Sequence, residues 1–363
     1  NNIVLYWGQN SYGAAHGSDT ANFEKRLSYY CQAGHAGTIV LSFMHAYGKS
    51  NPSTNFANHC DPSKVFPGTA LLDCPELRED IATCQKLGVK IELGLGGASG
   101  NYGFTNDQQA AAFADELHKM AFSGKGSVRP FGPGSLDGVN LDLEGGTQTG
   151  YTQFVKRLRE LQGSQGLIVS TSPQCPYPDA WLHDVLINGE VDAAYVQFYN
   201  NYCGVQAFGT GNFNFEVWDK WAKNAKRPGA KVYLGVPASS SAAGSGYVPA
   251  TRLSAIVNEV ASKYPSTFGG IMAWDASQVY MNKEGGKTFV EAAANALRAV
   301  CGGATAPKPK PATSTVPKSE PTTTAPSKPV ATAAPSPTYS TTPKPVVPAT
   351  PQPTYSAAPA PTT

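Results

Sequence analysis

The sequence predicts an α/β fold, a (β/α)8 barrel of the TIM type, followed by a disordered Pro/Thr/Ser-rich tail. Three observations carry that expectation. Short, β-rich apolar runs recur eight times before residue 300. Apolar residues at helical spacing lie between several of them. Alternating strand and helix implies a parallel sheet, and eight such units in about 300 residues suit a closed barrel.

The runs, in order, are IVLYW (3–7), TIVLSF (38–43), KIELGLGG (90–97), GVNLDLE (138–144), LIVSTSP (167–173), AAYVQFYN (193–200), KVYLGVPAS (231–239) and GGIMAWD (269–275). Between them Phe113, Leu117 and Met120 keep a helical spacing, as do Phe154, Val155, Leu158 and Leu161, and GKTFVEAAANALRAV (286–300) reads as the closing helix. A doubly wound sheet is the rival fold, with LGLGGASG as its phosphate loop. That match fails: counted from Gly94, the sixth position of GxGxxG is Ser99, and the stretch is not in the first βαβ unit. Its glycines are better read as tight turns at the upper rim.

More than half of the 29 prolines follow Cys301, which sets a folded domain at 1–303 and a linker at 304–363. The linker repeats PSPTYS (335–340) as PQPTYS (351–356) and has too little apolar area to fold. Prolines would extend it to ~190 Å at ~3.1 Å per residue. Its Ser/Thr/Pro bias resembles O-glycosylated stalks, and no N-glycosylation sequon with a non-proline middle residue is found.

A net charge of +2 with scattered basic residues offers no footprint for nucleic acid or an acidic membrane, and a neutral partner fits better. No apolar stretch approaches the roughly 20 residues of a membrane span, and the chain opens directly on a strand, as a mature secreted form would. The seven cysteines (31, 60, 74, 84, 175, 203 and 301) and six histidines lack zinc-site spacing. Disulfides are therefore expected, and no metal or cofactor.

In GVNLDLE, Asn140, Asp142 and Glu144 share one face of the strand, and Val139, Leu141 and Leu143 the other. The apolar set must face the helices, so the polar set points into the barrel near the carboxyl end of the fourth strand, where barrel enzymes place their chemistry. Two acids ~7 Å apart along a strand perturb each other, and burial leaves one protonated near neutrality. Such a pair suits glycoside hydrolysis, yet same-strand acids reach a sugar from one side only. A nucleophile carried by the substrate resolves this.

The stretch D137-G138-V139-N140-L141-D142-L143-E144 resembles the DGxDxDxE signature of family 18 glycoside hydrolases. YWGQN (6–10), SPQCPYPD (172–179), YVQFYNN (195–201), GVPAS (235–239), AAGSGYVP (242–249) and GGIMAW (269–274) are similar to plant and fungal class III chitinases of the hevamine type. The resemblance spans about 1–300. It implies an endo-acting, retaining chitinase acting on chitin or chitooligosaccharides. Glu144 would protonate the glycosidic oxygen, Asp142 would orient the substrate acetamido group and stabilise an oxazolinium ion, and Tyr199 would hydrogen-bond the acetamido carbonyl. Asp137 and Asn140 would support these catalytic residues. Tyr6, Gln9, Gln197, Asn200 and Trp274 would contact substrate, with Trp274 as the stacking floor. The resemblance also implies disulfides Cys31–Cys84, Cys60–Cys74 and Cys175–Cys203, leaving Cys301 unpaired, in a monomer that is secreted, extracellular or wall-associated, and fungal.

Two departures stand out: the family usually has Asp at the position of Asn140, and its SxGG appears as Gly94-Leu95-Gly96-Gly97. The amide removes a negative charge beside Asp142, so the remaining acids should ionise more easily. Three alternatives stay open: an endo-β-N-acetylglucosaminidase, a lysozyme-like hydrolase, and a silent chitin-binding lectin or glycosidase inhibitor.

Overall fold

The computed structural model describes residues 2–163 and 166–300, so Cys301 and the linker lie outside the described residues. Eight parallel strands form the barrel: β1 Ile3–Trp7, β2 Thr38–Ala46, β3 Lys90–Gly97, β4 Gly138–Leu143, β5 Ile168–Thr171, β6 Ala193–Gln197, β7 Lys231–Pro237 and β8 Phe268–Trp274. Each pairs with the next, and β1 pairs with both β2 and β8, which closes the ring. The two-residue strand Ser53–Thr54 adds antiparallel to β2. All eight expected runs are strands, with the fifth shortened to Ile168–Thr171.

A helix follows each strand: α1 Leu27–Gln32, α2 Pro75–Lys86, α3 Asp107–Leu117, α4 Tyr151–Gln162, α5 His183–Asn188, α6 Phe215–Asn224, α7 Ala250–Lys263 and α8 Phe289–Val300. The expected closing helix starts late because Lys287–Thr288 pairs with Lys283–Glu284 as a hairpin before it. Local chemistry sets several starts. Pro75 occupies the first turn of α2, and the Asn106 side chain accepts from Gln109 N at 2.8 Å to cap α3. The apolar stripe of α4 (Tyr151, Phe154, Val155, Leu158) faces inward, each side chain contributing roughly 1.5–3 kcal/mol by burial.

Strand alternation produces two cores. Ile91, Leu93 and Leu95 of β3 and Val139, Leu141 and Leu143 of β4 pack against the helices. A separate cluster fills the barrel interior: Val4, Tyr6, Val40, Phe43, Ala193, Tyr195, Tyr199 and Met272. Disulfides Cys31–Cys84, Cys60–Cys74 and Cys175–Cys203 are all present, as the resemblance implied. The first ties α1 to α2, and the third fastens the loop after β5 to the loop after β6.

Candidate active site

The inward face of β4 is as alternation requires. Asn140 and Asp142 are buried, and Glu144, just past the strand, is half-buried at the mouth. Strand β3 lies against this face in the register Gly94 to Asn140 and Gly96 to Asp142. Gly96 has φ +112°, and a Cβ there would sit 2.2 Å from the Asp142 carbonyl oxygen. Only glycine permits that approach. The Tyr102 hydroxyl then clamps the strand exit, accepting from Glu144 N at 3.1 Å and donating to Gly97 O at 2.8 Å.

Gln197, ending β6, joins the two acids. Its Nε2 lies 3.1 Å from Asp142 Oδ1, 3.5 Å from Glu144 Oε1 and 3.1 Å from the Ser172 carbonyl. Burial, then the charges of Glu144 and Asp179, hold the Asp142 carboxyl well above its usual range, against the nearby Tyr6 hydroxyl and the hydrogen bond from Gln197. Burial also raises Glu144, opposed by Gln197 and aided by Asp179. The two acids titrate as a pair, and a proton stays on the cluster at a pH where an exposed carboxyl has lost its own. A retained proton at the mouth is what a general acid needs.

Tyr199 is buried, and burial followed by the charges of Asp142 and Glu144 pushes its phenol well up, so it remains a neutral O–H donor. Trp274, ending β8, is half-buried, with its ring edge-on to Tyr6 at 5.4 Å and parallel to Phe43 at 6.2 Å. A cavity of about 310 Å³ adjoins Glu144, lined by Lys49, Ser99, Asn101 and Tyr102 among others.

Several expected site residues have structural bonds of their own. Asp137 is not brought to the acids: it precedes β4 at the barrel's opposite end, accepting from Lys90 Nζ (2.8 Å), Gln85 Nε2 (2.9 Å) and Ile91 N (3.0 Å). There it pins the start of β3 to β4, because alternation along β4 carries only the later acids upward. Tyr6 is 1% exposed, and its hydroxyl meets Asn140 Oδ1 at 3.0 Å and Ser172 Oγ closely, so it underlies the acids instead of lining an open surface. The Gln9 NH2 is engaged by the carbonyls of Gly8, Ser42 and Asn55, a brace for the loop after β1. Asn200 is exposed at φ +57°, and its Oδ1 accepts from Ser245 N at 3.1 Å, which steadies the loop after β7. Asn140 sits directly under Asp142 on the inward face, where support was expected.

Sequence reasoning did not single out Asp179, Ser170, Ser172 or Glu92. Asp179 is buried beside the acids and accepts from the amides of Gln174, Trp181 and Leu182 at 2.9, 2.8 and 2.7 Å. It sits in an irregular loop where no periodicity flags it. The serines and Glu92 are inward-facing polar residues on β3 and β5, or just beyond, and the alternation that revealed Asp142 could have found them.

Residues 2–246 match the model of the glycosyl hydrolases family 18. "Chitinase 2" of Rhizopus oligosporus is 44% identical over 283 residues, covering 77% of this chain and 50% of that protein. The chain spans about half the length of the first curated relatives it matches. Among solved structures, the ICChI chitinase of Ipomoea carnea superposes with a TM-score of 0.67 at 25% identity, covering 82% of this chain and 100% of that one. The xylanase and alpha-amylase inhibitor protein XAIP-II of Scadoxus multiflorus does so with 0.66 at 29% identity, covering 81% and 97%. The family match runs from β1 through β7 and takes in both acids of β4 with the glutamine that joins them, so the chain belongs to the glycosyl hydrolases of family 18.

Proposed function

We propose that the chain is an endo-acting chitinase that hydrolyses β-1,4-linked N-acetylglucosamine polymers with retention, using the substrate's own acetamido group as nucleophile. The observation that carries this reading is the pairing of Asp142 and Glu144 on one face of β4 through a single Gln197 amide. Acids so placed address a sugar from one side, and the attacking atom must come from elsewhere.

Glu144 donates its proton to the glycosidic oxygen as the acetamido oxygen bonds to the anomeric carbon, and the leaving sugar departs as an alcohol. Asp142, ionised, orients the acetamido N–H and offsets the charge of the resulting oxazolinium ion. The neutral Tyr199 hydroxyl donates to the acetamido oxygen, and Trp274 supports the sugar ring. Water then adds to the anomeric carbon, gives its proton to the Glu144 carboxylate and reopens the ring, so the β configuration is kept. Asn140, Tyr6 and Gln197 hold the acids in place in this scheme.

The chain is further read as residues 1–303 carrying catalysis with a 304–363 spacer, in a secreted monomer at or near a cell wall. The three disulfides support an oxidising compartment. Among the described residues no helix is long and apolar enough to cross a membrane. A binding-only reading draws support from the likeness to XAIP-II, an inhibitor by name. Two neighbouring acids that hold a proton above the usual carboxyl range favour catalysis over it. Hydrolysis of chitotetraose with the product anomers resolved separates the two: β product at first release and no cleavage of the de-N-acetylated tetramer are expected, and α product or equal cleavage of both oligomers overturns the mechanism.

A further inference from the structure

Glu92 is an acid that the mechanism above does not use. It points inward from β3, is 0% exposed and has no ion-pair partner among the described residues. Gly138, opposite it in the register, makes room: a Cβ at 138 would meet Glu92 Cγ at 3.1 Å and Ile168 O at 2.5 Å. Both carboxyl oxygens are bonded, Oε1 accepting from the Tyr195 hydroxyl at 2.7 Å and Oε2 from Ser170 Oγ at 2.5 Å. The ionisable groups around it are Tyr195 of β6, Tyr233 of β7, Tyr6 of β1, and Asp137 and Asp192 just before β4 and β6.

From Ser170 a line of hydrogen bonds climbs to the catalytic pair. Asn140 Nδ2 donates to Ser170 Oγ at 2.8 Å and to Ser172 Oγ at 3.0 Å, Asn140 Oδ1 accepts from the Tyr6 hydroxyl at 3.0 Å and from Ser172 Oγ at 3.2 Å, Tyr6 and Ser172 meet closely, and the Tyr6 hydroxyl is near enough to Asp142 to favour its charged form. A hydroxyl has one proton, so the directions along this line are linked. With Glu92 ionised, Ser170 donates downward and must accept from the Asn140 NH2. Asn140 Oδ1 then faces Tyr6 and takes its proton, which is the arrangement in this structure. With Glu92 protonated, Ser170 accepts from it and donates to Asn140 Oδ1. The amide turns over, its NH2 faces Tyr6, and the Tyr6 proton goes to Asp142.

We propose that Glu92 is a positioning residue for the hydrolysis: through Ser170 its carboxyl sets which end of the Asn140 amide faces Tyr6, and so whether Tyr6 is free to donate to the Asp142 carboxylate. This rests on the hydrolase reading above. The donation favours the ionised Asp142 that the oxazolinium ion requires, so the protonated form of Glu92 is the productive one. Burial lifts Glu92 to about 7, so it loses its proton above the range where an ordinary carboxyl does. The alkaline fall in rate therefore follows two protons, one on Glu144 and one on Glu92.

Full-length wild type, Glu92→Gln and Ser170→Ala are compared by kcat and KM on chitotetraose across pH, with melting temperatures alongside. In Glu92→Gln the Tyr195 hydroxyl needs the amide oxygen, so the NH2 faces Ser170 and the line is locked in its productive direction. The wild-type rate should fall by up to about a hundredfold per pH unit on the alkaline side, and that of Glu92→Gln by about tenfold. At pH 5 the variant should retain kcat within about threefold, with KM unchanged, because Glu92 touches no substrate. Ser170→Ala keeps the acid but cuts the line, and should show the same shallower limb. A purely structural role would move the melting temperature and leave the steepness as in wild type, which overturns the proposal; if Glu92→Gln does not fold, Ser170→Ala decides alone. No hydrolysis of chitotetraose by the wild type at any pH would instead overturn the hydrolase reading and this inference with it.

Discussion

Replacing Glu144 by glutamine removes one proton and almost no volume, which makes it the sharpest probe of the site. The amide oxygen can occupy the place of Oε1, 3.5 Å from Gln197 Nε2, while the 3.1 Å bond from Gln197 to Asp142 needs no change. Binding should therefore survive, with KM altered less than about threefold. The lost function is general acid catalysis, worth roughly 10²–10⁴ in rate, or about 3–5 kcal/mol of barrier. Loss of the Glu144 charge also removes the next-largest cause, after burial, of the raised Asp142, so Asp142 ionises more readily in the variant and the nucleophilic step gains no new obstacle. The deficit must then depend on the leaving group. On chitotetraose kcat should drop by at least about a hundredfold, and on an aryl glycoside whose phenol needs no protonation most of that loss should disappear. Initial rates on both substrates measure this directly. An equal loss on the two, or a kcat within about threefold of wild type on the tetramer, would refute the assignment of Glu144 as acid.

Buried acids also link stability to pH. Glu92 rises from 4.5 to about 7 on folding, so its contribution is fully present below about pH 4.5 and is lost as pH climbs through about 7. The shift corresponds to up to about 3 kcal/mol, and thermal melts should show the barrel more stable at pH 5 than at pH 8, with a flatter dependence in Glu92→Gln. Reduction of the Cys31–Cys84 bridge, whose ends are 53 residues apart, should cost about 4 kcal/mol by loop entropy, so Cys31→Ser/Cys84→Ser should unfold at clearly lower denaturant than wild type, and an unchanged midpoint would count against that entropy argument.

The fold was legible because its signal is repeated: eight apolar runs with period-two burial leave little freedom once a closed parallel sheet is assumed. The strand ends were less so: regular pairing of the fifth strand stops at Thr171, two residues short of the end of LIVSTSP, although Ser172 N still donates to Leu141 O of β4 at 2.8 Å. At the site, alternation along β4 correctly aimed Asn140, Asp142 and Glu144. The family motif, carried over as a block, also drew in Asp137, though that residue precedes the strand and bonds to the opposite rim. Glu92 escaped notice because, two residues from Lys90, it reads as the wet start of a strand, although alternation turns it inward and Gly138 leaves it the space to be buried. Tyr6, Gln9 and Gln197 were legible as neighbours of the site but not in their hydrogen bonding, which depends on which backbone carbonyls and side chains the closed ring brings within reach.

The contact between Gly96 and the Asp142 carbonyl bears on how this site can change over time. A Cβ at that position would lie 2.2 Å from a backbone oxygen, and no side-chain rotation relieves a clash with main chain. Any other residue at Gly96 would push β3 and β4 apart beneath both acids, so room to reshape the mouth of the barrel lies in loops such as the one holding Lys49, around a seam whose width is fixed by the backbone itself.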